Sequence, residues 1–577
     1  MSSARMAFLF LALAIILILP AFYGGGGGGL DIWQQGLFVA AVPRHIMLTY
    51  RQFPFWNPWG SGGVPCLGHP YSSFLSPGYL FTLLFGPVAG LKLRVAAALW
   101  LGLTGGYLLG RRFSPGRFAP YLCAGVFLLS SWYPLYMSRW HVEFIPFACL
   151  PWLLLFYLKG IEDLRWASWG GVVFALVILD GGTYPLPLSV LFLSFYAILD
   201  AAVRRKGRPL AVAALIVLLG AAISGVKFLP MLRFMLENPR YTYWKEPVLP
   251  LRALPRMFLG RDQLSPTDFR GAWLGWWEYG AYVGIVPAAL AALGVFIARK
   301  RIVPAAAAGL VFFGVMFGDF GDASPWRWLH QAPPFSSLHD TVRFRVPFVF
   351  CLALLSAAAL SRVEGGAETL RGRGRTVLLA ALGVLTAAVL LDLVLVSAPL
   401  YGRLAIDLPA PSRTPGPFRQ VFLAEKERSG ACVYRTFLGN EGLVNNWDGL
   451  DLRPADVRPF GSPAYRGEAW IENGGGGVTV SRWSPNELVY DVAPGRAGDL
   501  VVNQRYDPGW SVSDGRPVKA VKGVITVPVY AEGGRIALRY RPPWLPAGCA
   551  VSALGALAAC AVWRIGRARI SGKGPAR

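Results

Sequence analysis

Long apolar stretches separated by short polar junctions dominate the chain as far as residue 397. They fall at about residues 6–23, 93–110, 117–135, 144–158, 167–180, 184–202, 209–230, 279–298, 302–317, 344–361 and 376–397, with a last one at 544–563. A helix that crosses a bilayer needs roughly 20 apolar residues, and these runs approach that length. The pattern predicts a polytopic α-helical membrane protein of about 12 transmembrane helices. Between residues 398 and 543 the apolar runs shorten and turn signals become frequent. LVYDV, DLVVNQ, WSVSD, PVKAV, GVITVPVY and RIALRYRP read as strands, with SDGRP and EGGR as hairpin turns. This predicts a β-sandwich-like domain inserted before the last helix. The expected division is 1–397 for a transmembrane domain with a first outer loop at 24–92, 398–543 for the β-rich domain, and 544–577 for a final helix and basic tail.

Charge orients this arrangement. Basic clusters occupy every second junction: Arg111, Arg112 and Arg117; Lys159 and Arg165; Arg204, Arg205, Lys206 and Arg208; Arg299, Lys300 and Arg301; Arg371, Arg373 and Arg375; and the tail from Arg564. Positively charged junctions stay in the cytoplasm, so both termini are expected there and the β-rich domain is expected to be extracytoplasmic, as in a bacterial inner-membrane protein. The net charge of +24 is therefore accounted for by orientation and does not call for a nucleic-acid partner. With a mean hydropathy of +0.44, a soluble multidomain protein is excluded. Seven cysteines without a C-x-x-C pair point to no disulfide framework. The first apolar segment lacks a signal-peptidase-like site and is expected to be retained.

The first outer loop opens with six glycines and has Asp31 as its one acidic residue. IWQQGLFVAAV suits a helix lying on the membrane surface and ended by Pro43, and Phe74 to Phe85 suits a second. Pro54, Pro58, Pro65 and Pro70 with Gly60, Gly62, Gly63 and Gly68 between them leave no room for regular structure. Trp33, Trp56 and Trp59 suit headgroup depth. A carboxylate here could act as a general base; D-I-W-Q equally fits an N-cap with a capping box, and the two roles are compatible.

Other polar groups near the outward ends of the spans are candidates for substrate contact. In SRWHVEF, His141 and Glu143 could bind a metal or a sugar hydroxyl, or Glu143 could simply pair with Arg139 one turn away. Asp180 ends a helix, where the macrodipole opposes an anion, so something beyond local helix energetics should hold it; Asp392 breaks a local rule as plainly. Between Met231 and Trp277 the outer loop is rich in cations, Arg233 and Arg240 among them, which fits a lipid-phosphate clamp or an ordinary charged surface. Glu278 begins a span, where an anion is favoured. Arg343 and Arg345 begin another, where cations are disfavoured unless a phosphate or a protein carboxylate meets them; Asp340 suits the cap of that helix. No Walker, zinc, nucleophile-elbow or Rossmann pattern is present.

The strings DLVVNQRYDPGWSVSDGRPVKAV and RIALRYRPPWLPAGCAVSALG, with D-I-W-Q-Q, F-W-N-P-W-G-S-G-G-V-P and E-Y-G-A-Y-V-G earlier, resemble the YfhO-type bacterial membrane proteins over most of the chain. The resemblance implies membership of the C-type (GT-C) glycosyltransferase superfamily. Such enzymes use a polyprenyl-phosphate sugar as donor and carry an acidic residue in the first outer loop, a position that Asp31 matches. The chain departs from the pattern in its glycine run and in DGGTYP. The expected activity is transfer of a sugar, with inversion, from a polyprenyl-phosphate carrier to a cell-envelope acceptor, with Asp31 as base and Arg343 and Arg345 on the departing phosphate. Whether a divalent metal ion bridges Asp31 and the phosphate is left open. The rival readings are a transporter or flippase of lipid-linked saccharides and a non-enzymatic envelope scaffold.

Overall fold

The computed structural model describes residues 3–23, 37–240, 242, 248–267, 269, 272, 274–297, 300–409, 415–424, 430–445 and 452–571. Asp31 and the glycine run lie outside them. Helices α1 (Ser3–Ile18), α2 (Val39–Thr49), α3 (Tyr79–Phe85), α4 (Pro87–Phe113), α5 (Ala119–Leu128) and α6 (Trp132–Ser138) come first. Next are α7 (Leu150–Glu162), α8 (Arg165–Leu179), α9 (Pro185–Arg204), α10 (Arg208–Ile223), α11 (Gly225–Glu237), α12 (Leu254–Leu259) and α13 (Trp276–Tyr279). Last are α14 (Ile285–Phe296), α15 (Val303–Val315), α16 (Pro325–Leu329), α17 (Arg345–Ala367), α18 (Gly372–Gly402), α19 (Gly430–Leu438) and α20 (Leu545–Ser571).

Among the described residues, seven helices are long and apolar enough to cross a membrane, or eight if the α10–α11 pair, bent by 89°, is one broken span. Large apolar side chains such as Phe296, Leu310, Val384 and Leu557 stay exposed on their outer faces; an apolar exterior is the signature of a lipid-facing bundle. The chain is a multi-pass membrane protein. Three further apolar helices, α8, α14 and α15, are shorter, and at about 1.5 Å per residue α14 is only about 18 Å long.

Several expected elements come out differently. The stretch 117–135 divides into α5 and α6. The stretch 209–230 breaks at Ser224, whose hydroxyl is turned back onto the Gly220 carbonyl at 2.8 Å. Pro43 does not end a helix but lies inside α2; its missing N–H removes one backbone bond, and the helix continues to Thr49. The proline-rich loop is not devoid of regular structure, because strands β1 (Trp56–Asn57) and β2 (Val64–Pro65) pair within it. Trp56 and Trp59 are 0% and 1% exposed, so they are protein core and not headgroup anchors.

The C-terminal part contains strands β3 (Arg419–Val421), β4 (Glu441–Leu443), β5 (Ala469–Glu472), β6 (Val478–Ser484), β7 (Glu487–Val492) and β8 (Gly498–Arg505). It continues with β9 (Trp510–Val512), β10 (Lys519–Val521), β11 (Val524–Val529) and β12 (Gly534–Tyr540). Two four-stranded antiparallel sheets, ordered β10-β11-β8-β5 and β6-β7-β12-β9, enclose a common core. Alternation places Ile536, Leu538 and Tyr540 inward from one strand. SDGRP and EGGR are not hairpins: each leads from one sheet to the other. The β10–β11 hairpin instead turns on Lys522 and Gly523, both at positive φ (50° and 77°), as a tight two-residue loop of primed type requires.

The final helix closes the bundle by backbone proximity. Gly548 and Gly555, two turns apart on α20, face α10 and α11 so closely that a Cβ on Gly555 would lie 2.6 Å from the Ile223 nitrogen. Small residues that let backbones approach are the usual solution where lipid offers no hydrophobic drive between helices.

Candidate functional site

A buried charge cluster lies where α6, the 140–149 segment, α13 and the start of α17 meet. The guanidinium of Arg343 donates to Glu278 through Nε (3.0 Å, Oε2) and Nη2 (2.7 Å, Oε1), a two-pronged pair. Its Nη2 also lies 3.0 Å from Asp340 Oδ2. Arg345, fully buried, donates to Tyr136 Oη at 2.6 Å and to the Gly280 and Trp277 carbonyls at 3.0 Å each. Tyr136 in turn donates to Glu278 Oε2 at 3.3 Å. The cations that the helix start disfavours are thus met by carboxylates and carbonyls of the protein itself. Glu278 is not merely a dipole-favoured residue at a helix start but the partner of Arg343, 65 positions away in sequence.

Aromatic rings hold this cluster in register. Tyr136 and Phe144 stack at 3.9 Å with 3° between planes, Phe144 stacks on Tyr184 at 5.4 Å, and the Arg343 guanidinium lies 4.4 Å from the Tyr184 ring. The Tyr184 hydroxyl is 2.6 Å from His339 Nδ1, and His339 Nε2 is 3.3 Å from Asp340 Oδ2. Asp340 adopts φ +57°, uncommon for a residue with a side chain, and makes no cap bond; its carboxylate is turned to Arg343 instead. A continuous Tyr184–His339–Asp340–Arg343–Glu278 chain results.

The electrostatics follow from burial and pairing. Burial alone would raise the Glu278 pKa, but Arg343 outweighs it and holds the group at about 2. Burial pushes Asp340 up to about 6, with Arg343 opposing and Glu278 reinforcing the rise. Burial and the nearby cations Arg343 and Arg240 keep His339 neutral, with a pKa of about 2.

His141 and Glu143 sit against the same cluster, with the His141 ring 6.0 Å from Tyr136. Their side chains bond to each other, Nδ1 to Oε1 at 3.0 Å, so Glu143 pairs with its neighbour while Arg139 lies over the Trp277 ring at 3.8 Å. The buried His141 Nε2 and Glu143 Oε2 have no hydrogen-bond partner among the described residues. Two orphaned polar atoms on adjacent side chains are what a hydroxyl-bearing ligand or a water would satisfy.

Asp180 belongs to a second group. It accepts from Arg94 Nη2 at 2.8 Å and is largely buried, while Lys227 Nζ donates to the Ile178 carbonyl at 2.8 Å at the end of the same helix. Two cations offset the dipole there, so Asp180 is not a solvated helix end. Asp392 accepts from the Tyr282 hydroxyl at 2.6 Å and pairs with Arg261.

Between α8, α9, α10 and α11 runs an apolar groove of about 310 Å³, lined by residues such as Phe174, Val190, Phe228 and Met231. Its polar side is supplied by Tyr184, Asn238 and Arg240. Tyr184 is therefore shared between groove and charge cluster. No described residue forms a hydrogen bond or salt bridge with the Arg240 guanidinium, which acts on Asp340 and His339 at longer range. Sequence reasoning did not single out Tyr184 or His339; the strings TYP and LHD carried them, but only the fold brings them together. Among the described residues no three His, Cys, Asp or Glu side chains converge as metal ligands would, and no residue is assigned to a metal.

No protein-family model matches the chain, and no curated protein sequence matches it. Among solved structures it is similar to the arabinofuranosyltransferase AftD from Mycobacteria, at 18% identity and a TM-score of 0.49 over 79% of this chain. It spans 32% of that AftD chain's length. It is also similar to ArnT from Cupriavidus metallidurans in the apo state, at 14% identity and a TM-score of 0.44 over 77% of this chain and 86% of that one. The ArnT structure bound to undecaprenyl phosphate matches over the same shares with a TM-score of 0.41.

Proposed function

We propose that this chain is a membrane glycosyltransferase of the GT-C type, which moves a sugar from a polyprenyl-phosphate carrier to an acceptor in the cell envelope. The observation that carries the reading is the junction of an apolar groove with a buried, pre-organised polar cluster through Tyr184. A lipid-linked sugar is amphipathic in the same sense: its chain fits a surface with almost no polar atoms, and its head needs directed hydrogen bonds. Arg240, at the polar side of the groove and free of hydrogen bonds and salt bridges to the described residues, takes the carrier phosphate. Arg343 and Arg345, bound to Glu278, Tyr136 and backbone carbonyls, hold the aromatic wall in place. His141 Nε2 and Glu143 Oε2 are left to meet sugar hydroxyls, and Asp180 fixes the helix end beside the groove.

In this reading Asp31 takes the proton from the acceptor hydroxyl as its oxygen attacks the anomeric carbon. The bond from that carbon to the phosphate oxygen breaks, the phosphate leaves with the electron pair, and the configuration inverts. About twelve spans, cytoplasmic termini and an extracytoplasmic β unit at 398–543 complete the arrangement, putting the reaction on the outer face. The test is turnover of a radiolabelled polyprenyl-phosphate sugar by purified protein in lipid nanodiscs. Transfer or hydrolysis by the wild type, lost in Asp31→Asn with folding intact, supports the reading. Equal turnover by both removes Asp31 from the mechanism, and no turnover with any donor favours transport or scaffolding.

A further inference from the structure

The last turn of α11 ends at the polar side of the groove and is held there by the C-terminal β unit. Carbonyls at a helix C-terminus have no partner within the helix. That of Glu237 accepts instead from Arg453 Nε at 2.8 Å, a residue 216 positions further along the chain. A cation at this end also complements the helix dipole. The Arg453 backbone N–H donates to Asn238 Oδ1 at 3.3 Å, while Asn238 Nδ2 turns back onto the Phe234 carbonyl at 3.0 Å. A second tie lies one turn earlier, where Arg233, bonded to Glu237 at 2.7 Å, is 3.9 Å from Asp507 of the β unit.

Arg453 is in turn fixed by Arg505, the last residue of β8. The Arg505 guanidinium donates to the Arg453 carbonyl through Nη1, and to the Ser61 carbonyl through Nε and Nη2 at 3.3 and 3.2 Å. Its backbone N–H donates to the Gly62 carbonyl at 2.8 Å. One residue therefore joins the loop after α2, the sandwich and the contact on α11. What these ties hold is the short run that carries Arg240. Asn238 and Arg240 both line the groove, and between them Pro239 restricts the backbone. Beyond Arg240, the Thr242 backbone N–H donates to the Ser336 carbonyl at 3.1 Å and its hydroxyl to the Leu338 carbonyl at 2.5 Å. Leu338 lines the groove as well. The chain is thus anchored just before Arg240 by the β unit and just after it by the 336–338 segment.

We infer that Arg453 is a positioning residue for the carrier phosphate, acting through Arg240, and that the β unit is thereby part of the carrier site. A cation whose backbone is held in advance loses less freedom when it meets its anion, so its contact is stronger than that of the same cation on a loose segment. The inference rests on Arg240 as the phosphate contact of the transferase reading; the ties that hold Arg240 stand on the geometry alone.

The experiment titrates full-length protein in detergent micelles with undecaprenyl phosphate and with undecaprenol, binding being read by native mass spectrometry. It compares the wild type, Arg453→Ala, Arg453→Lys, Arg240→Gln and the double variant Arg453→Ala with Arg240→Gln. Arg453 is exposed, so its truncation should leave the unfolding temperature without lipid nearly unchanged. Arg453→Ala is expected to weaken binding of the phosphate roughly two- to tenfold, the worth of one hydrogen bond, and to leave binding of the alcohol as in the wild type. Arg453→Lys, which keeps one donor, should lose less. In the Arg240→Gln background Arg453→Ala should have no further effect, because the two residues act on one contact. Turnover of a polyprenyl-phosphate sugar should show the same loss as a raised KM at nearly unchanged kcat. Equal binding of phosphate and alcohol by the wild type, an equal loss of both in Arg453→Ala, a loss that adds to that of Arg240→Gln, or no loss at all overturns the inference. A phosphate-selective, non-additive loss in a protein that turns over no donor keeps the positioning role and removes the transferase reading. Turnover whose KM is unmoved by Arg453→Ala removes the positioning role and leaves the transferase reading standing.

Discussion

Trp56 Nε1 donates to Gln504 Oε1 at 2.8 Å, joining positions 448 residues apart. The indole is not resting on a surface: it lies in the sandwich core, 5.4 Å from the Trp510 ring and 4.7 Å from that of Tyr540. Neighbouring contacts reinforce the junction. The Trp56 backbone N–H donates to Asn486 Oδ1 at 3.0 Å, Gln52 donates to Ser484 at 2.9 Å, and Gly60 bridges Leu443. The loop that follows α2 is therefore folded by the C-terminal sheets, and the two cannot be treated as separate modules.

This junction predicts that Trp56→Ala loosens both partners at once. Large aromatic truncations in a core cost about 3–5 kcal/mol, and here the Gln504 amide also loses its partner. Hydrogen exchange should rise together in residues 51–66 and in β8, β9 and β12, while Trp56→Phe, which keeps a ring, should cost less. A rise confined to the loop would show that the sandwich does not need the plug.

The Glu278–Arg343 pair makes a prediction about cost. Removing one member of a buried pair leaves an uncompensated charge and destabilises by about 3–5 kcal/mol, whereas replacing both by apolar residues of similar size is often close to neutral. Glu278→Gln should therefore lower thermal stability in detergent more than the double variant Glu278→Leu with Arg343→Met does. On the proposed transferase reading the double variant should nonetheless lack turnover, because the Tyr184 wall loses its support.

What could be read in advance divides along the same line as these contacts. Strands such as RIALRYRP were legible because alternation is local, and the need of Arg343 for an anion was legible because a helix start opposes cations. Which sheet a strand joins is not local: SDGRP and EGGR carry good turn residues yet connect different sheets. The partner of Arg343 was equally hidden, since Glu278 had a sufficient local explanation. Trp56 was misread for the same reason, an aromatic near a membrane segment being as consistent with headgroups as with a core whose strands lie far along the chain.

Acidity should separate the β unit from the rest. Glu468 is half-buried and accepts from the Gln420 backbone N–H at 2.8 Å, the Tyr465 hydroxyl at 3.0 Å and Asn503 Nδ2 at 3.3 Å; loss of solvent outweighs these bonds and pushes its pKa up to about 7. Between about pH 4.5 and 7 the folded unit keeps a proton that the unfolded chain releases, so its stability falls as pH rises through that window. The loss should be about 2–3 kcal/mol, read as faster exchange in β5 and β8 at about pH 7.5 than at about pH 5 after correction for intrinsic rates. Glu468→Gln should flatten this dependence; a variant with the wild-type slope would assign the titration elsewhere.

Close backbone approach sets a further expectation. A side chain at Gly555 has nowhere to go, the Cβ position falling 2.6 Å from the Ile223 nitrogen and 2.7 Å from the Ala222 carbonyl carbon. Gly555→Val should push α20 from α10 and lower the unfolding temperature. Leu557→Val, on an exposed face of the same helix, should leave it nearly unchanged. Equal unfolding temperatures for the two variants would show that the helices do not depend on the close approach.

Arg240 and Arg343 are both cations near the head of the groove, and the geometry gives them opposite consequences. Arg343 is buried and two-pronged on Glu278, so losing it is first a folding defect. Arg240 lines the groove without a described hydrogen bond or salt bridge and acts on Asp340 and His339 only at longer range, so Arg240→Gln should change the unfolding temperature little in the absence of lipid. A charge-assisted contact to phosphate contributes about 1.5–3 kcal/mol, which corresponds to a loss of roughly tenfold or more in affinity. Undecaprenyl phosphate should therefore raise the unfolding temperature of the wild type and raise that of Arg240→Gln far less, while undecaprenol, which has the chain without the charge, should stabilise both equally. If the phosphate and the alcohol stabilise the wild type to the same extent, the groove binds chains alone and Arg240 has no part in holding a carrier head.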